Sequence, residues 1–140
     1  MGEVRVPVRL TNTFDEQRVE LGLLAAESIR RYAGSAVVDT GAVRNVLPPK
    51  VARDLGLRIV GYVAVAYADG RSEEVPITGS FRIELEGRED EDNALILGDD
   101  VLIGQTALEK LDLLVDCHRQ KLIANPANPN QPVNKIRQAT

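Results

Sequence analysis

The chain has 140 residues, with 17 basic against 21 acidic side chains and a formal net charge of −4, a size that supports one compact domain without a disulfide or structural metal. Its mild acidity and lack of a basic stripe offer little to phosphate backbones or anionic bilayers, so neither nucleic acid nor a membrane is expected as a partner. The single Cys117 has no partner within the chain, no apolar run approaches the roughly 20 residues of a bilayer span, and MGEVRVPVRL lacks the apolar stretch of a secretory leader, so the expected compartment is the cytoplasm.

In chain order, Val4, Val6, Val8 and Leu10 alternate with Arg5, Pro7 and Arg9, the period of a half-buried strand, with Pro7 at a sheet edge. TNTFDEQ reads as a polar turn, and RVELGLLAA (18–26) and SAVVD as short strands around the charged IRRYAG. PPKVARDL (48–55) predicts a short helix that starts on prolines, stops at Gly56 and carries Val51, Ala52 and Leu55 on one face. VGYVAVAY and RSEEVPI, joined by Asp69-Gly70, predict a projecting β-hairpin. Phe81, Ile83 and Leu85 mark a further strand with one wet face, followed by GREDEDN (87–93) as a solvated loop.

The continuous apolar runs ALIL and VLIG predict buried strands. Thr106 and Glu109 read as a capping box before the helix TALEKL, and DLLVD and KLIA as strands around the turn CHRQ. The last sixteen residues, NPANPNQPVNKIRQAT, hold three prolines and few apolar residues, which predicts a flexible tail or an arm that orders on a partner. The total, about eight or nine short strands and two short helices with no internal repeat, is a mostly-β chain.

The informative stretch is SAVVDTGAVRNVLP (35–48), where an apolar strand delivers Asp39 directly into a Thr-Gly turn. A strand end fixes the acid and leaves it partly buried, Thr40 can bond across a neighbouring loop, and Gly41 lets another backbone come close. Asp-Thr-Gly alone is also a common plain turn. With the strand VV before it, Ala42 and the apolar LP after it and the helix KVARDLGL beyond, this stretch resembles the active-site segment of retropepsin-like aspartic proteases of the single-domain bacterial type. LIGQTALEKLDLLVD (102–116) resembles the apolar-apolar-Gly strand and helix that pack beside that segment, with Ile103 and Gly104 next to the site. VAVAYADGRSEEVPI (63–77) has the position of the flap, with Tyr67, Ala68, Asp69 and Gly70 at its substrate-binding tip.

The resemblance implies a closed, mostly-β acid-protease barrel with one or two short helices, one lobe per chain, spanning residues 1–124, with 125–140 as a tail or dimerisation arm. It also implies an aspartic endopeptidase in which two carboxylates act on one water, one as general base and one as general acid. The chain carries one Asp-Thr-Gly and no second copy, so such an enzyme must be a homodimer through its active-site face, with Asp39 of each chain side by side, Thr40 of each bonding across the interface and chain termini interleaving at its base. Peptide or protein substrates would lie extended between flap and floor; no metal or cofactor is implied. Two positions depart from the family pattern. Val43 replaces a residue that is commonly Ser, Thr or Asp, and Gln105 one that is often Arg; these remove a hydrogen-bonding group and a charged contact that help assembly in relatives.

Other constellations carry less. Cys117 and His118 are neighbours on a turn and supply too few ligands for zinc; Glu89–Asp92 with Asp99 and Asp100 lack an EF-hand pattern and read as a solvated acidic loop; Tyr62 and Tyr67 flank the hairpin and read first as residues filling a strand face, with a flap tyrosine contacting substrate as the alternative. Two rival functions remain: a dimeric peptide-binding module of the same fold with weak or no catalysis, and a monomeric β-barrel assembly protein in which Asp39 only turns the chain.

Overall fold

The computed structural model describes residues 3–137; residues 1 and 2 of the expected domain and 138–140 of the expected tail lie outside these. Strand β1 (Val4–Asn12) buries Val4, Val6, Val8 and Leu10 and exposes Arg5, Pro7 and Arg9. It pairs antiparallel with β2 (Arg31–Val38) along Val4–Thr11 and with β6 (Phe81–Leu85) only along Arg9–Asn12. Pro7 therefore lies in the half of β1 that has one neighbour, where a missing N–H is tolerated.

Between β1 and β2 the turn and the strand expected at 18–26 are replaced by helix α1 (Thr13–Glu20) and a 3₁₀ turn at Ala26–Ser28. The Asn12 side chain caps the helix by accepting the Asp15 N–H at 3.0 Å, and Asp15 and Glu16 in the first turn suit its positive end. The Asp15 side chain is fully buried and accepts Arg30 Nε and Nη2, both at 2.9 Å, and the Arg30 N–H at 3.0 Å. The Arg30 side-chain bond foremost holds the Asp15 carboxyl below the usual carboxylate range. A depressed folded value means that its stabilisation is present above the unfolded value of about 4 and is lost as pH falls through the folded one. Asp15→Asn is expected to cost roughly 1–3 kcal/mol at neutral pH and to flatten the acid limb of the stability curve. Urea denaturation from pH 7 to pH 3 reads both, and an unchanged midpoint at pH 7 contradicts this.

Strand β3 (Asn45–Leu47) leads into the expected helix α2 (Pro49–Asp54), which buries Ala52 and, just beyond its end, Leu55. Gly56 stops it with φ of 65°, and Arg30 occupies the space that a Cβ there would need. The hairpin of β4 (Ile59–Ala66) and β5 (Ser72–Thr78) forms as expected, with Gly70 at φ 88° in its turn. GREDEDN is not a loop: Glu86 and Gly87, at φ 50° and 74°, make a two-residue turn that returns residues 88–92 as β7 (Arg88–Asp92) against β6, with Leu85 opposite Arg88.

The apolar runs give short strands β8 (Ala94–Ile96) and β9 (Leu102–Ile103), and helix α3 (Gln105–Leu111) precedes the hairpin β10 (Leu113–Asp116) and β11 (Lys121–Ala124). The capping box does not form. Gly104 is the N-cap without a side-chain bond, and Thr106 lies inside the helix. The Gln105 and Thr106 N–H groups donate instead to Ala42 O at 2.7 Å and Val43 O at 3.1 Å, so the preceding loop satisfies the donors that a capping side chain would serve.

Nine strands form one sheet in the order β4-β5-β8-β3-β9-β2-β1-β6-β7. The expected closed barrel is absent among the described residues: β4 and β7 remain edges. The hairpin joins the sheet only through Ile77 opposite Leu95, which lets it project, and the charged sequence REDED occupies the far edge, where it discourages further pairing. The main core gathers Val8, Leu10, Leu55, Phe81, Ile83, Ile103 and Leu111, and a smaller cluster of Val46, Val75 and Leu95 supports the hairpin base. Residues 125–137 have no helix or strand, yet Asp112 accepts Asn125 Nδ2 at 2.9 Å, Asn128 Nδ2 at 2.7 Å and the Val133 N–H at 3.0 Å, while the buried Arg88 guanidinium donates to Asn128 O at 2.6 Å. Among the described residues no helix is long and apolar enough to cross a membrane.

Candidate active site

The buried Ala36 and Val37 of β2 carry the chain into Asp39, and the parallel pairing of Val38 with Ile103 fixes where it emerges. The Asp39 N–H donates to Ile103 O at 2.9 Å. The side-chain Oδ1 accepts the Gly41 N–H at 3.0 Å and the main-chain carbonyl accepts the Ala42 N–H at 3.2 Å, so the carboxylate sits in a tight, sheet-anchored turn. Asp39 is half-buried, Thr40 and Gly41 are exposed, and Val43 is 71% exposed. The loop thus presents a carboxylate and an apolar side chain to solvent.

Two residues that support this loop, one through its side chain and one through its backbone, escape a motif reading. The Asn45 side chain, 3% exposed, donates from Nδ2 to Asn93 O and accepts the Gly104 N–H on Oδ1, both at 3.0 Å. This clasp joins the exit of the loop to the β7–β8 turn and to the start of α3. An amide inside the apolar run RNVLP is the signal that points to it, since a buried polar side chain requires partners. Arg44 is the second: a Cβ on Gly104 would stand 2.5 Å from Arg44 O and 3.0 Å from Ala42 O, so the loop backbone rests directly on the bare α-carbon of Gly104.

Tyr67, Ala68, Asp69 and Gly70 come together at the β4–β5 tip, where the Gly70 N–H donates to Tyr67 O at 3.0 Å and the Tyr67 N–H to Arg71 O at 2.8 Å. Arg71 stacks 5.0 Å from the centre of the Tyr67 ring and donates from Nε to Asp69 at 2.7 Å, and the Tyr67 hydroxyl bonds the Glu73 carboxylate. The Glu73 bond raises the Tyr67 pKa, and the Arg71 N–H lowers that of Asp69. No hydrogen bond or ion pair joins this tip to the Asp39 loop among the described residues. Tyr62 does not fill a strand face: it is 62% exposed on the edge strand. Cys117 is exposed in the β10–β11 turn, and Asp100 pairs with Arg5 at 3.3 Å.

The family model described as "gag-polyprotein putative aspartyl protease" matches residues 28–110, more than half of the chain. The fold is similar to the retroviral protease-like domain of Ddi1 from Leishmania major, with a TM-score of 0.57 and 17% sequence identity over 90% of each chain. Comparison with curated proteins gives no match.

Proposed function

Because the chain belongs to the retropepsin-like family of aspartyl proteases, we propose that it is an aspartic endopeptidase working as a homodimer, each chain giving Asp39 to one water-activating pair. The observation that carries this reading is the Asp39 turn itself: a single carboxylate held at a strand end by Ile103 and Gly41, facing outward on an open loop. One carboxylate can serve only one of the two roles that acid-base hydrolysis of a peptide needs. A two-fold axis through the loop supplies the other, and two carboxylates brought so close share one proton. The ionised member takes a proton from water as it attacks the scissile carbonyl, and the protonated member donates toward the carbonyl oxygen; no acyl-enzyme forms.

Thr40 and Val43, exposed in the single chain, become interface and floor. The β4–β5 hairpin closes over an extended peptide as a flap, and its tip, stiffened by the Arg71, Tyr67 and Glu73 contacts, meets the peptide backbone. The second reading is a dimeric peptide-binding module with the same loop and no useful turnover, favoured by the apolar Val43 where relatives of the family carry a hydrogen-bonding side chain.

Within its own chain a Cβ on Gly41 would meet only Asp39 Oδ1, at 3.3 Å, a close contact that a small shift of the carboxylate relieves. Its need for bareness comes from the opposing loop. Gly41→Val is therefore expected to raise the dimer dissociation constant at least about tenfold more than Val43→Thr. Sedimentation equilibrium checks this, and equal constants for the two variants refute the face-to-face arrangement.

A further inference from the structure

Asp112 ends α3 in the left-handed conformation, with φ of 54°, and gathers the chain that follows. Leu113 pairs with Ala124, so the β10–β11 hairpin returns Asn125 beside it, and the Asn125 N–H donates to Asp112 O at 3.1 Å. The Asp112 carboxylate accepts Asn125 Nδ2, Asn128 Nδ2 and the Val133 N–H, which engages both of its oxygens. Asn134 Nδ2 donates to Lys110 O at 3.1 Å and Glu109 O at 3.3 Å, carbonyls in the last turn of α3, where partners within a helix run out. Arg88 of β7 serves the next two, Leu111 O at 3.0 Å and Asp112 O at 2.8 Å, and its third bond is the one to Asn128 O. Release of the tail would therefore strip a buried cation of one of its three acceptors. Pro126, Pro129 and Pro132 restrict the tail before it docks and bring no N–H that needs a partner. The hairpin holds Asn125 against Asp112 of its own chain, so the closing loop is short and a second chain's tail could take this seat only by displacing it.

We infer that residues 125–137 are an intrachain clasp, anchored on Asp112, that closes the C-terminal end of α3, and are not an arm exchanged between subunits. α3 starts where the Gln105 and Thr106 N–H groups hold Ala42 O and Val43 O, so the clasp steadies from its far end the helix that carries the Asp39 loop. The clasp stands without the protease reading, whereas its bearing on catalysis rests on that reading. A homodimer is then built without the tail.

NMR on the full chain tests it. In wild type the Val133 amide is expected to exchange at least about tenfold more slowly than that of Ile136, which is 88% exposed. In a sample that mixes isotope-labelled with unlabelled chains, nuclear Overhauser contacts from Val133 and Asn134 to Asp112 and Lys110 are expected within chains only. Contacts between chains, or a Val133 amide that exchanges like Ile136, overturn the clasp, and neither measurement needs a variant to fold. Asp112→Asn keeps a residue that tolerates the left-handed turn but sets an amide NH2 against the donors around it. It is expected to remove the Val133 protection and to speed exchange of the Gln105 and Thr106 amides at least about threefold. Loss of the Val133 protection with Gln105 and Thr106 unchanged overturns the effect of the clasp on the Asp39 loop. Peptide cleavage measured on the same wild-type sample separates the two ideas. A protected Val133 without cleavage keeps the clasp and removes the protease reading; cleavage with a Val133 exchanging like Ile136 removes the clasp alone.

Discussion

Asp39→Asn is expected to lower peptide cleavage by at least about 10³-fold while leaving fold and dimer in place. The asparagine side chain keeps an oxygen where Asp39 Oδ1 accepts the Gly41 N–H, so the turn survives and stability should move by no more than roughly 0.5 kcal/mol. In the proposed dimer the two facing side chains exchange a shared proton for amide N–H groups that can still hydrogen-bond across the axis, so the dimer is not expected to weaken. What is lost is the base and the shared proton, which no neighbouring side chain supplies: the only hydrogen bond that the Asp39 side chain makes among the described residues is to the Gly41 backbone. Cleavage of an unbiased peptide mixture, read by mass spectrometry from mildly acidic to neutral pH, measures the effect. Equal cleavage by both proteins removes the dyad. Silence from both, with peptide still bound, favours the binding module.

The parts of this site that could be read in the sequence are those set by neighbours in the chain. Asp69-Gly70 demands a tight hairpin turn and the structure has one; Pro49 and Gly56 bracket α2 because one fits a first helical turn and the other a left-handed stop. Asp39 emerges at the end of an apolar strand for the same local reason. The failures arise where distant groups decide. Thr13–Glu20 is helical because Asn12 caps it and because Asp15 finds Arg30, fifteen positions away. REDED is a strand because Phe81–Leu85 offers an edge and Glu86-Gly87 can adopt the required positive φ, so its charge pattern, which suggested solvent, marks an outer strand instead. The Thr106 box loses to main-chain carbonyls of the Asp39 loop, which no local pattern reveals. The clasp of Asn45 and the seat of the loop on Gly104 are also long-range, and they are what connect the motif to the fold.

Gly104→Ala should therefore be among the most damaging single-methyl changes in the protein. The added Cβ would stand 2.5 Å from Arg44 O and 2.6 Å from Arg44 C, which are backbone atoms that cannot swing aside. Relief requires the 42–45 segment to lift from α3, stretching the Asn45 bond to the Gly104 N–H and the bonds that Ala42 O and Val43 O accept. A cost of roughly 2–3 kcal/mol follows, which for a chain of this length lowers Tm by about 5–10 °C. Gly41→Ala adds the same methyl two residues after Asp39 and meets nothing closer than 3.3 Å in its own chain, so at a concentration where the chain is monomeric its Tm should stay within about 2 °C of wild type. Calorimetry on the two variants at low concentration separates the two uses of a bare α-carbon. Gly104 seats the loop within one chain, whereas in the proposed dimer Gly41 leaves room for the other. An unchanged Tm for Gly104→Ala would mean that the loop is not held against α3, and with it would go the reason for expecting Asp39 to be fixed before a partner or a peptide arrives.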